Sequence, residues 1–232
     1  MSDPLTTGCG AFDAVLGGGI ERGVVTQLYG PPASGKTNVA LTVAAEAAAA
    51  GERVLYVDTE DLSLTRFRDI AAARADETPV PELTERLIVS EAADFDEQSE
   101  AVRDTEEFAE RVGLIVLDSA TGFYRLERTA EDNEGETLRA VARQITHLLA
   151  LAKRHDLAVV VTNQVFTDPD ADRTRPLGGN TLEHWTGVVV GLERFRGGNR
   201  RATVKKHRSE PAGERARFQI TDAGIEAADP QQ

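Results

Sequence analysis

Lysine is nearly missing from this chain. Four lysines (36, 153, 205 and 206) accompany 22 arginines, and these 26 bases face 39 acidic residues, for a net charge of −13. Such an acidic, lysine-poor surface stays soluble by self-repulsion, a device of proteins that work in concentrated salt. The composition points to a high-salt archaeon. Cysteine occurs once, at Cys9, which excludes a disulfide framework and a cysteine-built zinc site. No apolar run reaches membrane-spanning length and no signal peptide opens the sequence, so a cytoplasmic protein without membrane contact is expected. Aromatic residues are only 5% of the total, which leaves few platforms for stacking on bases.

What is present alternates in type. "VVTQLYG", "RVLYVDTE", "RLIVSEA", "LIVLD" and "LAVVVTNQV" read as buried strands. Between them, "TNVALTVAAEAAAAG", "LTRFRDIAAARA", "FDEQSEAVRDTEEFAERVG" and "GETLRAVARQITHLLALAKRHD" read as helices. The last carries Leu138, Val141, Ile145, Leu148, Leu149 and Leu151 at helical spacing. Residues 1–23 read as a cap ahead of the first strand, and 166–179 as a polar loop. "WTGVVVGLERF", "RRATVKKHR" and "ARFQIT" read as closing strands. The pattern predicts an α/β fold: a mainly parallel central sheet, helices on both faces, and a C-terminal antiparallel β extension. One domain over residues 1–232 is expected, with no linker and no internal repeat.

The chemistry begins in "LYGPPASGKTNVA". Gly30, Pro31, Pro32, Ala33, Ser34, Gly35, Lys36 and Thr37 form a phosphate-binding loop between a strand and a helix. The glycines let backbone N–H groups wrap an anion at the helix N-terminus. Lys36 supplies a charge to the β- and γ-phosphates, and Thr37 offers its hydroxyl to Mg²⁺. Asp118, at the tip of "LIVLD", is placed to anchor the same metal. Glu60 ends "VLYVDTE" and suits the orientation of an attacking water; Asp58 and Asp61 flank it, and the residues alone do not choose among the three. Gln164 ends "VVVTNQ", where an amide can feel a γ-phosphate and pass its loss to the loop beyond.

"TTGCGAFDAVLGGGIERG", "GPPASGKT", "YVDTED", "LDSATGFYR", "TNQV" and "PLGGN", in this order and spacing, resemble the RecA-like recombinases. Within them the likeness is to the archaeal RadA/RadB group and its eukaryotic homologues, most of all to the short RadB paralogues, and it covers essentially the whole chain. The resemblance implies ATP and Mg²⁺ as cofactors, Glu60 as the catalytic glutamate, Asp118 as the Mg²⁺-associated aspartate and Gln164 as the link to the second DNA loop. It also implies DNA-binding loops near 125–135 and 166–179. By analogy alone, Arg66 lies near the adenine.

The departures shape the functional expectation. The sequence starts at the core, without the helical N-terminal DNA-binding domain of RadA or its Phe-x-x-Ala docking hook. The presumed DNA loops carry Glu127, Glu131, Asp132, Glu134, Asp168, Asp170 and Asp172 against Arg125, Arg128, Arg173 and Arg175. Phosphate contacts need cations, so weak single-stranded DNA binding is expected. Residues 194–217 run the other way, with nine bases and two acids, a local +7 in a chain of −13. They are arginines scattered over exposed strands, or a DNA stripe, or they place Lys206 and Arg208 on one side of a strand to reach a neighbouring subunit's ATP, a pattern that resembles the Lys-x-Arg of KaiC-type ATPases. The expected role is an ATP-binding recombinase paralogue that assists a main RadA-type recombinase as a mediator, with slow hydrolysis and with self-association as a further option. A KaiC-type signalling ATPase and an adaptor using ATP as a structural switch are the alternatives.

Overall fold

The computed structural model describes residues 2–76, 78–123, 134–168 and 173–228. Nine strands form one sheet in the order β11-β10-β9-β8-β1-β5-β4-β2-β3. Its parallel part is β1 (Val25–Tyr29), β2 (Val54–Asp58), β3 (Leu87–Glu91), β4 (Leu114–Asp118), β5 (Ala158–Asn163) and β8 (Val188–Arg194). Then β9 (Arg200–Lys206), β10 (Arg215–Thr221) and β11 (Gly224–Ala227) continue it antiparallel, as expected. A separate hairpin joins β6 (Val165–Asp168) to β7 (Arg173–Pro176).

Strand periodicity divides the core. Leu28, Tyr56, Val116 and Val160 point to one face, with Val39 and Ala40 of α2 (Lys36–Ala49), Phe67 and Ile70 of α3 (Leu64–Ala72), and Leu83 of α4 (Val80–Glu85). Val25, Val57, Leu117 and Val161 point to the other, against Val102 of α5 (Phe95–Phe108) and Val141, Ile145 and Leu148 of α6 (Glu134–His155). Burial on both faces is why these strands read as continuous apolar runs rather than alternating ones. On the first face Phe12 of α1 (Gly10–Val15) stacks on Phe218 of β10 at 5.8 Å, which pins the antiparallel extension to the N-terminal segment.

The structure departs from the sequence reading in several places. The presumed N-terminal cap contains α1 and a bridge between Leu5 and Ile20. The polar loop at 166–179 is largely the β6–β7 hairpin. Trp185 belongs to a helix, α7 (Gly179–Trp185), and not to the strand that follows. Gly178 and Gly179, at φ +79° and +47°, make the left-handed turn that starts it. Four further strands, not three, close the sheet, because Gly224 at φ +111° turns the chain back into β11. Lys206 ends β9, so Arg208 lies beyond the strand rather than beside Lys206 on one side of it. Most of the first presumed DNA loop, with Arg125, Glu127, Arg128, Glu131 and Asp132, lies outside the described residues, as do Asp170 and Asp172 of the second.

Candidate nucleotide site

Open parallel sheets gather ligands at the C-terminal ends of their strands. Here the tips of β1, β2, β4 and β5 deliver the phosphate loop, Glu60, Asp118 and Gln164 to one place. A cavity of about 340 Å³ is lined by Pro32, Ala33, Gly35, Lys36, Thr37, Asn38, Glu60, Gln164, Arg200 and Ile220.

The loop is packed to exclude side chains. A Cβ on Gly30 would meet the Leu192 carbonyl oxygen at 2.4 Å and Ser34 Oγ at 2.6 Å. Gly35, at φ +104°, immediately precedes α2, and a Cβ there would meet Arg200 and Ile220 at 3.1 Å. Lys36 opens the helix, and its Nζ donates to the carbonyls of Gly30 (3.1 Å) and Pro31 (3.4 Å). Burial holds the Lys36 ammonium below its ordinary pKa, while Glu60 and Asp118 pull it back up. A phosphate beside it would reverse that cost.

Asp118 is 1% exposed, and both carboxylate oxygens are engaged. Tyr56 Oη donates to Oδ2 at 2.6 Å and Thr162 Oγ1 to Oδ1 at 2.5 Å. Burial pushes the carboxyl above its usual range, opposed by the hydrogen bonds from Thr162 and Tyr56 and by the nearby Thr37 hydroxyl. Thr37 is thus next to Asp118, the pairing needed for a shared cation.

The three acids after β2 are placed differently. Asp58 is buried and accepts from the N–H groups of Glu60 (3.0 Å) and Leu62 (2.5 Å), so it shapes the turn. Asp61 is in the left-handed region at φ +60°. Glu60 faces the cavity, and Gln164 Nε2 donates to its Oε1 at 3.0 Å. Ser119, just after Asp118, is also left-handed at φ +68°, as is Ala33 in the phosphate loop at φ +60°. Of these residues Ala33 lines the cavity itself.

Beyond Gln164 the stems of the two presumed DNA loops are joined. Thr121 Oγ1 donates to Asn163 Oδ1 at 2.5 Å, and Asn163 Nδ2 to the Leu177 carbonyl at 2.8 Å. Leu177 N–H donates to the Gln164 carbonyl at 2.9 Å.

The basic segment has no common destination. Lys206 Nζ donates to the carbonyls of Glu183 (2.6 Å) and Thr186 (2.8 Å), at the end of α7. Arg208 pairs with Glu21, and Arg201 with Glu193. Lys206 and Arg208 therefore do not line this chain's own cavity. Arg66 clasps Asn38 Oδ1 (3.0 Å) and the carbonyls of Thr221 (2.5 Å) and Asp222 (2.9 Å), so it braces the cavity wall from behind. Sequence reasoning missed Arg200 as a cavity residue. Its signal was phase: Arg200 alternates with Ala202 and Val204, which are in the core on the α2 side.

The comparisons with known proteins agree with this geometry. A family model described as Rad51 matches residues 4–228. The chain belongs to the Rad51 family. A protein named DNA repair and recombination protein RadB, from Halobacterium salinarum, is 66% identical over 226 residues, 97% of this chain and 95% of that protein. A RadB from Methanococcoides burtonii is 41% identical over 226 residues, 97% and 98% of the two chains. A solved structure described as the crystal structure of the RadB recombinase aligns with a TM-score of 0.82 at 35% identity, covering 97% of this chain and 100% of that one. Rad51-family proteins work in DNA repair and recombination, and RecA-like proteins generally bind ATP with Mg²⁺. The residues here fit that ligand pair. The glycine cradle is closed to a Cβ, the Ser34 hydroxyl is buried without a partner among the described residues, and Thr37 adjoins a buried carboxylate. Among the described residues, no helix is long and apolar enough to cross a membrane.

Proposed function

We propose that the chain is an ATP-binding recombinase paralogue that hydrolyses ATP slowly, touches single-stranded DNA weakly and assists a main RadA-type recombinase. The observation that carries this reading is the contact between Glu60 and Gln164 at the mouth of the phosphate loop. Lys36 and the loop N–H groups hold the phosphates, while Thr37 and Asp118 hold the metal. When bound, Mg²⁺ neutralises charge on the β- and γ-phosphates. Glu60 orients a water for in-line attack on the terminal phosphorus and takes its proton. Gln164 shares its amide between Glu60 and the terminal phosphate, so loss of that phosphate is felt at the stem of the β6–β7 hairpin. Turnover is slow because this chain offers no cation of its own from Lys206 or Arg208, whose groups are held by α7 and Glu21. The same two residues are the candidates for a contact with a neighbouring copy's ATP.

Calorimetry with Mg²⁺ and ATP, followed by phosphate-release assays with and without single-stranded DNA, tests the proposal. Binding with slow turnover is expected. No heat with any nucleoside triphosphate would remove its basis, and fast, strongly DNA-stimulated hydrolysis by the isolated chain would contradict the mediator role. The adaptor reading draws on the same Glu60–Gln164 contact as a switch without chemistry. Glu60→Gln separates the two: repair in cells fails if hydrolysis matters and survives if nucleotide occupancy alone matters.

A further inference from the structure

Arg200 stands apart from the other bases of the C-terminal segment. Its side chain leaves β9 on the α2 side and lies over the last glycine of the phosphate loop, with Cδ and Nε at 3.1 and 3.2 Å from the position a Cβ on Gly35 would take. One guanidinium nitrogen donates to the Gly198 carbonyl at 2.6 Å. The Nε is sealed from solvent and has no acceptor among the described residues. No acidic side chain pairs with Arg200 among those residues, although Arg201 beside it has Glu193 and Arg208 has Glu21. A buried N–H with no partner carries a desolvation cost, which an arriving acceptor removes.

The cavity has two ends. Glu60, Gln164 and Lys36 mark the end at which Glu60 and Asp118 act on the lysine. Arg200 and Ile220 both close on Gly35, the residue before Lys36. We infer that Arg200 is a nucleotide-binding residue supplied from the antiparallel extension, contacting the α- and β-phosphates of a nucleoside di- or triphosphate, the part that hydrolysis leaves behind. The inference rests on the nucleotide reading above and deepens it. A planar guanidinium that already gives one N–H to backbone presents its remaining donors in a fixed direction, which suits a phosphate oxygen better than a mobile lysine would. It also gives β9 a stake in nucleotide occupancy that Arg215 and Arg217, on the next strand and exposed, do not have.

The test is calorimetric titration of Mg²⁺–ADP and Mg²⁺–ATP into wild type, Arg200→Ala, Arg200→Lys and the control Arg217→Ala. Arg200→Ala should weaken ADP and ATP by the same factor, about tenfold or more for a lost charged hydrogen bond. Arg200→Lys should fall between, and Arg217→Ala should match wild type. Thermal melts without nucleotide establish that each variant folds; if Arg200→Ala does not, Arg200→Lys alone carries the test. Affinity for both nucleotides within about twofold of wild type would overturn the inference. So would a loss confined to ATP, which would mark a terminal-phosphate contact, or an equal loss in Arg217→Ala, which would mark a diffuse charge effect. Failure of the wild type to bind either nucleotide would overturn the nucleotide reading along with it, a result distinct from a wild type that binds and a variant that binds equally well.

Discussion

The tips of β2 and β4 each bring a carboxylate close to Lys36, and they hold it in opposite ways. Asp118 is 1% exposed and fastened at both oxygens by Tyr56 and Thr162. Glu60 is exposed, past the end of its strand, and its recorded partner is Gln164, itself at a strand tip. One acid is part of the core; the other stands exposed at the cavity. The difference matches what each role requires. A metal anchor has to be in position before the ligand arrives, so its surroundings are fixed by buried hydroxyls. A group that orients water and reports a lost phosphate has to move, so it is held by one exposed hydrogen bond.

Substitution at the two tips should separate these roles most widely. Asp118→Ala strands two buried hydroxyls, each worth about 1–3 kcal/mol when left unpaired, partly offset by removing a desolvated carboxyl. A net loss of about 2 kcal/mol in urea denaturation is expected. Glu60→Ala should stay within about 0.5 kcal/mol of wild type, as exposed substitutions do, while abolishing turnover. Equal destabilisation by both would erase the distinction. A smaller effect is expected at Thr121→Val, which keeps the shape but leaves Asn163 Oδ1 without its donor. About 1 kcal/mol of stability should be lost. Nucleotide affinity should be unchanged, since Thr121 does not line the cavity.

How much of this was legible in the sequence depended on how local each feature is. The phosphate loop and the strand tips were readable because glycine spacing and apolar runs are contiguous. Choosing Glu60 over Asp58 and Asp61 was not possible from the residues, because β2 stops at Asp58 and that side chain folds back onto the following N–H groups. The resemblance to recombinases supplied what alternation could not. The helices α4 and α7 were missed because they are only six and seven residues long. In α7 a run of β-branched residues follows at once and carries the strand signal back over Trp185. Arg200 was counted as one of nine bases, and only strand phase relative to Ala202 and Val204 separates it from the rest. The partners of Asp118 come from β2 and β5, 62 and 44 residues away, which no window along the chain spans.

The buried tip also predicts a pH dependence. Burial raises the Asp118 carboxyl against the lowering pull of Thr162, Tyr56 and Thr37. The native chain therefore keeps this proton to higher pH than the unfolded chain, whose value is about 3.9. The stability contributed is complete below that unfolded value and is lost as pH rises through the elevated folded one. Asp118→Asn has no such proton. The stability of wild type minus that of Asp118→Asn, measured by urea denaturation without nucleotide from about pH 4 upward, should fall with pH, by at most about 1.4 kcal/mol per pH unit inside the window. It should level off once the native carboxyl has ionised. Added Mg²⁺ and ATP should flatten the trend, because a cation beside the carboxylate favours its charged form. A difference that is flat from the start would mean that Asp118 is ionised at its ordinary value, and the contrast with Glu60 would then be one of hydrogen bonding alone.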